Sequence, residues 1–413
     1  MDEFDIGIIG GGPAGYTSAF YYAKQNKTVV LFEKDEIGGT CLNRGCIPTK
    51  AFLHIAELYN KMKHSSEIGI NSGELTLDFE KIKSYKNNII TKLRKGLELS
   101  LKNAKITVVK EKAEIKGSGI ITANNNDYEC KDIIIATGSK PRSLKGLEFD
   151  HKFILSSDDI LELESLPKSI LIIGSGAIGI EWTRILSSFG VEVSIAEIAD
   201  RLCPQADWEV SKRIERQFKT KKIKTYTSSS ISNINNKKVT LSSGETIEPE
   251  YILISAGREI NNDLKNDFGY PVIGDASAEI MLAHYAISQS KELVLNIPFK
   301  RDIIPSVIYG EPEIAWIGDV SKNKEEDEQY NKSMILISSL GKSHCDNSTD
   351  GFIKILEKDG KIKGASIVSK EASGLIQQIA IAMTNNLTVE DFKKVCFAHP
   401  TYSEGIFEGI MNL

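Results

Sequence analysis

The chain is poor in the residues that would make it a stapled module, a fibre or a membrane protein. Six cysteines among 413 residues are too few and too scattered for a disulfide framework. The longest mainly apolar stretch, Ile170 to Ile180, is too short to span a bilayer and is interrupted by glycine. Basic surplus is also missing: 51 Lys and Arg stand against 56 Asp and Glu, with a pI near 5.9, so neither nucleic acid nor an anionic membrane is an expected partner. The opening residues MDEFD carry no basic n-region, so no leader is expected and the protein is read as soluble and cytoplasmic. No low-complexity linker divides the chain. What remains is an ordinary globular composition, 41% hydrophobic and 26% charged, long enough for about two or three tightly packed domains.

What is present is glycine in a particular order. Asp5 to Ile9 reads as a strand, Gly10, Gly12 and Gly15 follow in the spacing GxGxxG, a helical pattern runs through AGYTSAFYYAKQ, and a second apolar run, Thr28 to Phe32, ends on Glu33. The order recurs at Ser169 to Ile173, Gly174, Gly176 and Gly179, the helix EWTRILSSF, and Val191 to Ala196 ending on Glu197. In both copies the acid lies 18 residues after the third glycine. The three glycines do different things: the first makes a tight turn, the second lets the backbone approach a pyrophosphate closely, and the third lets helix pack on strand. The helix N-terminus then faces the phosphates, and the acid can accept from ribose hydroxyls. One GxGxxG could be a mere strand–helix turn; two complete β-α-β units predict two dinucleotide sites, a resident flavin and an exchanging nicotinamide being the usual pair. Glu197, with no basic residue in Ile195 to Ala199, favours NAD over NADP.

Between and after these units, Ser65 to Asn103 is helical in period and expected to pack on the first domain, Ile106 to Asp132 reads as short strands and turns, and Ile231 to Ile254 as hairpins. From about Ile303 a further domain is expected, with strands at Phe352 to Leu356 and Ala365 to Val368 and helices over Ala372 to Met383 and after Pro400. Cys41 and Cys46 lie in GGTCLNRGCIPTK, Gly38 to Lys50, and can meet only if the local helix is distorted or begins there. The six histidines are scattered, which disfavours a metal site and leaves a dithiol–disulfide couple. Cys130, Cys203, Cys345 and Cys396 are read as ordinary buried or surface thiols.

GGTCLNRGCIPTK together with the two glycine motifs resembles the flavin-dependent pyridine nucleotide–disulfide oxidoreductases, and within them most the dihydrolipoamide dehydrogenases. The resemblance extends over nearly the whole chain, through ATGS (Ala136 to Ser139), GSGAIGIE (Gly174 to Glu181), IGDA (Ile273 to Ala276), MLAH (Met281 to His284), IPSVIYGEPEIAWIG (Ile304 to Gly318) and FAHPTYSE (Phe397 to Glu404). It implies an α/β fold: two Rossmann-like dinucleotide-binding domains, for FAD and NAD, plus a C-terminal α+β dimerisation domain. The expected divisions are 1–145 and 262–302 for the flavin part, 146–261 for NAD and 303–413 for dimerisation. It implies FAD on Gly10, Gly12, Gly15, Glu33, Thr137, Gly138, Asp275 and Ala283, and NAD on Gly174, Gly176, Gly179, Glu197 and Gly257. Lys50 and Glu181 resemble an ion pair beside the flavin, Cys41 the thiol that exchanges with substrate, Cys46 the thiol against the flavin, and His399 with Glu404 an acid–base pair reaching the other subunit of a homodimer. The implied reaction oxidises dihydrolipoamide on lipoyl domains of 2-oxo acid dehydrogenase or glycine-cleavage complexes and passes hydride to NAD.

Rival readings make different demands. A glutathione or trypanothione reductase would carry basic residues in place of Glu197, and a mercuric reductase a C-terminal cysteine pair where this chain ends GIMNL. A catalytically impaired flavoprotein scaffold would need none of Cys41, Cys46, Lys50, Glu181, His399 and Glu404. Taken without the neighbouring motifs, His399 would read as a capping or core histidine. One departure stands out: Arg258 and Gly274 are separated by 15 residues, far fewer than the family's pattern has there.

Overall fold

The computed structural model describes residues 2–413. Its first sheet has six strands in the order Thr107–Val109, Val29–Phe32, Asp2–Ile9, Asn126–Ile135, Ile120–Ala123, Ala113–Gly117. The first four are parallel and the last two antiparallel. Val29–Phe32 and the second half of Asp2–Ile9, Ile6 to Ile9, are buried throughout and free of charge because the sheet is covered on both faces there, where alternation would bury charge. The second sheet repeats the order with five parallel strands: Lys224–Tyr226, Glu192–Ala196, Ser169–Ile173, Tyr251–Ile254, Ile154–Leu155. In both sheets the chain switches direction of progress beside the first strand, which opens a crevice at the carboxyl ends of the strands.

The two sheets are joined by a ribbon. Ser139–Pro141 leaves the first sheet and Arg258–Ile260 returns to it, paired antiparallel. The return path, with 15 residues between Arg258 and Gly274, is tied down: Ile135 N donates to Pro271 O at 2.9 Å, Ile273 N to Ile135 O at 2.9 Å, and Gly119 N to the Tyr270 hydroxyl at 2.7 Å. Leu264 and Tyr270 cover the apolar face formed by Phe32, Ile121 and Ile133.

The third sheet is antiparallel: Ser306–Ile308, Glu313–Gly318, Lys361–Ser369, Phe352–Lys358, Asn331–Leu336, backed by helices Ala372–Thr384 and Glu404–Met411. Tight packing between the parts follows from one shared core. Phe52 and Leu53, Ile172 and Ile180, and Ile314 and Val368, from three regions of the chain, belong to the same buried cluster. The expected helix over Ser65 to Asn103 is corrected. A short 3-10 turn, Ser65–Ile68, precedes it, and the α-helix starts only at Phe79, where the Asp78 carboxylate accepts from Lys81 N. Its packing is also broader than expected, since Ile82 joins the shared core while Leu101 sits under the first sheet. Among the described residues no helix is long and apolar enough to cross a membrane.

Candidate active site

The two glycine turns are built alike. Gly10 and Gly174 adopt φ +112° and +98°, which favours glycine, and their N–H groups donate to Phe32 O and Ala196 O, each at 2.8 Å. A Cβ on Gly15 would meet Gly10 O at 1.8 Å, and one on Gly179 would meet Gly174 O at 2.0 Å, so the third glycine brings the helix onto the turn. The second glycine is different: a Cβ on Gly12 would meet nothing nearer than 3.8 Å and one on Gly176 nothing nearer than 4.0 Å. That space is left open in front of the N-termini of helices Pro13–Lys24 and Ala177–Ser188, where unpaired N–H groups attract phosphate. The acids match as well. Glu33 accepts from Gly11 N (2.8 Å) and Asp35 N (2.9 Å); Glu197 accepts from Ser175 N (2.8 Å) and Ala199 N (2.9 Å), and from the Ser175 hydroxyl at 2.6 Å. Burial raises the Glu33 pKa, partly offset by the Gly11 N–H. Arg201, the basic residue nearest Glu197 in sequence, is turned to the carbonyls of Lys322, Pro204 and Ala206, so this guanidinium is already engaged and is not aimed at a 2′-phosphate.

A cavity of about 1750 Å³ runs from the first glycine turn to the second. It is larger than the ~300–1,000 Å³ of ordinary small-molecule sites and suits an extended dinucleotide. Gly10, Gly12, Glu33, Cys41, Cys46, Lys50, Thr137, Gly138, Gly176, Glu181, Gly257, Asp275 and Ala283 all line it. Gly15, Gly174, Gly179 and Glu197 stand behind its wall, the glycines through the packing just described. Asp275 is fixed by the Ser139 hydroxyl at 2.5 Å, and Ser139 in turn by Arg258, whose Nε and Nη2 donate to its hydroxyl and carbonyl at 2.7 and 2.8 Å. No sequence motif gives Arg258 or Ser139 a role of its own; only the pairing of the two crossing strands reveals the contact.

Cys41 and Cys46 meet because the helix is broken between them. Gly39–Arg44 ends at Gly45 (φ −136°, ψ −106°), and Cys46–Lys63 begins a new axis. A Cβ on Gly45 would press on Thr40 O at 3.0 Å, so a bare residue lets the first turn fold back. Asn43 staples the loop, its amide donating to the carbonyls of Glu36, Ile37 and Gly39 at 3.0–3.1 Å. Both cysteines are free thiols. The Cys41 thiol donates to Cys46, which holds Cys46 below the usual thiol range against the opposing effect of burial; Lys50, one turn along, adds to the lowering. The hydrogen bond and burial push Cys41 the other way. Cys46 also opens a helix, where the dipole favours a thiolate.

Lys50 Nζ lies 3.0 and 2.9 Å from the two Glu181 oxygens and 4.5 Å from the centre of the Tyr309 ring. Its helix is anchored to that of Glu181 by Phe52 against Trp182, ring centroids 5.5 Å apart. His399 and Glu404 are elsewhere: His399 Nδ1 is 2.7 Å from Glu404 Oε1, Thr401 N donates to Glu404 Oε2 at 2.9 Å, and the imidazole is 78% exposed. Neither lines the cavity that holds the cysteines. The alternative of a core histidine is thereby overturned, because a core imidazole is not open to solvent. Among the described residues no group of three His, Cys, Asp or Glu is placed to hold a metal.

The sequence matches the pyridine nucleotide-disulphide oxidoreductase family over residues 4–289 and that family's dimerisation domain over residues 304–409. The chain belongs to this family. Among characterised members, it is 32% identical to dihydrolipoyl dehydrogenase of Mycoplasma pneumoniae over 98% of this chain and 97% of the relative. It is 34% identical to that of Chlamydia pneumoniae over 99% and 96%. The alignments, of 443 and 449 positions, are longer than the 413-residue chain, so this oxidoreductase carries gaps relative to both. Among solved structures, LpdA of Mycobacterium tuberculosis superposes with a TM-score of 0.90 over 100% of this chain and 99% of that one at 21% identity. The flavoprotein disulfide reductase RclA of Escherichia coli does so at 0.86 and 20% over the same shares. Both share its fold: two dinucleotide-binding sheets and a dimerisation domain.

Proposed function

We propose that this oxidoreductase is a dihydrolipoyl dehydrogenase, using FAD and NAD, that oxidises dihydrolipoamide carried on lipoyl domains of 2-oxo acid dehydrogenase or glycine-cleavage complexes. The observation that carries the reading is the Cys41–Cys46 pair, with its thiolate-prone member at a helix N-terminus beside Lys50 and inside the dinucleotide cavity. The flavin part is residues 1–145 and 262–302, the NAD part 146–261, and the dimerising part 303–413. Gly12 and Asp275 would hold FAD and Gly176 and Glu197 NAD, and Ala283, which lines the same cavity, opens the helix Ala283–Leu295 and would contribute to the FAD site. FAD, when bound, would supply a two-electron acceptor for the dithiol and a hydride donor for NAD.

The protein's own part is thiol exchange. In a homodimer, His399 of one subunit takes the proton of a substrate thiol, with Nδ1 fixed by Glu404 so that Nε2 does the exchange. The substrate sulfur bonds to Cys41 as the Cys41–Cys46 bond breaks, and Cys46 leaves as the thiolate favoured by Lys50. The second substrate thiol then displaces Cys41, which closes the substrate disulfide and leaves the enzyme dithiol. Glu181 neutralises and aims Lys50. Glu197 supports NAD as hydride acceptor, and a preference for NADP in the wild type would contradict this. The four cysteines outside the redox pair, Cys130, Cys203, Cys345 and Cys396, are free thiols, which fits a reducing, cytoplasmic setting.

The deciding experiment is an anaerobic titration of the purified holoprotein with dihydrolipoamide, then NAD, followed by visible absorbance. A long-wavelength band at two-electron reduction that NAD discharges, and that Cys46→Ser abolishes, is the expected result. A protein that cannot be reconstituted with FAD would overturn the reading.

A further inference from the structure

The redox centre contains a buried cation that neither the motifs nor the thiol exchange uses. Arg184 lies three residues after Glu181 on the helix Ala177–Ser188, and therefore on the same face. It is 5% exposed. Among the described residues no carboxylate is within ion-pair distance; its fork reaches Tyr309 O at 3.0 Å and, more loosely, Gln217 Oε1 at 3.4 Å. Glu181 accepts from Tyr309 N at 3.0 Å. One helix thus grips both backbone groups of Tyr309, whose ring lies against Lys50.

Residue 310 is shaped to admit this arginine. Gly310 has φ +127°, and a Cβ there would stand 2.8 Å from both Cδ and Nη1 of Arg184. A guanidinium buried without a direct ion pair is costly, and an apolar side chain of similar size would commonly be tolerated better. Burial pushes Arg184 down to about 10, which leaves it charged at neutral pH.

We infer that Arg184 is a positioning residue of the redox centre: it fixes Tyr309 across Lys50 and, by sharing the charge of Glu181, leaves the Lys50 ammonium freer to favour the Cys46 thiolate. This rests on the roles given above to Cys46, Lys50 and Glu181. The other titratable groups facing Cys46 are Cys41, Arg258, Tyr16 and Tyr309; none is substituted in the test, and of these Tyr309 alone is bonded to Arg184.

The test is a pH titration of the long-wavelength absorbance of the two-electron-reduced holoprotein, in wild type, Arg184→Met and Arg184→Lys. Methionine fills the space without charge; lysine keeps the charge without the fork. The apparent pKa of the thiolate is expected to rise by about one pH unit in Arg184→Met, a tenfold loss of thiolate on the rising limb, and to stay within a few tenths of wild type in Arg184→Lys. An unmoved pKa in Arg184→Met overturns the inference. If Arg184→Met does not fold, Arg184→Gln, polar and equally uncharged, takes its place, with the same expected rise and the same overturning result. A wild type with no such band would instead sink the underlying functional reading, so the two failures are distinct.

Discussion

At the residue scale, the loop carrying His399 hangs on Tyr402. This side chain is fully buried, its hydroxyl bonds Asp346 at 3.3 Å, and burial pushes its pKa up to about 12. Asp346 is in turn held by Lys342 and Lys370, each at 2.9 Å, which brings its carboxyl down to about 2. A carboxyl depressed on folding contributes its stability above the unfolded value, near 3.9, and loses it as the pH falls through the folded one. Asp346→Asn should therefore lower the thermal midpoint by a few degrees at pH 6, and the gap should close between about pH 4 and pH 2. A gap of equal size at pH 2 would show that charge is not its source. Residue-scale features were legible where they are local. The glycine spacing fixes its own turn, and His399 and Glu404 are five residues apart. The contact of Arg184 with Tyr309 and Gly310 and the Arg258–Ser139–Asp275 chain were not, because these partners are more than a hundred residues apart and no local pattern encodes them.

At the element scale, the helix Trp208–Thr220 of the second sheet is locked to the third sheet by a buried ion cluster. Asp207 caps that helix by accepting from Glu209 N, and its other oxygen is 2.9 Å from Lys354 Nζ in strand Phe352–Lys358. Lys354 also pairs with Asp327, which takes Lys332 at 3.2 Å and the Trp208 indole N–H at 3.2 Å. Lys354 is 1% exposed. Lys354→Met leaves two carboxylates without their common cation and should cost about 3–5 kcal/mol in denaturant unfolding, whereas a loss below about 1 kcal/mol would mean the cluster is solvated. Elements themselves were well foreshadowed in both β-α-β units, since period and glycine agree there. The segment before Phe79 was not: its polar stretch keeps a helical rhythm, but Gly69 and Gly73 sit at φ +87° and +70° and break the chain out of the helix.

At the scale of the whole molecule, the separation of His399 from the cysteine cavity within one chain makes the proposed reaction a property of the pair. Chains carrying Cys46→Ser and His399→Ala should each be nearly inactive alone. Co-assembled as a hybrid, they should regain about half the wild-type rate, because one of the two sites is then intact. No recovery in an isolated hybrid would place proton transfer within a single chain. The overall architecture was legible because it repeats; the docking of the path from Arg258 to Gly274 along Ile135 was not, because no local pattern encodes it. The paired crossing strands carry one more consequence. Arg142 N bonds Gly257 O at 3.2 Å, so the stretch between them leaves and re-enters the first sheet at a single doorway. Such a stretch is a cassette. It could be exchanged for the equivalent piece of a relative that keeps the residues of the shared core, Ile172 and Ile180 among them, and Glu181, with both cut ends already side by side.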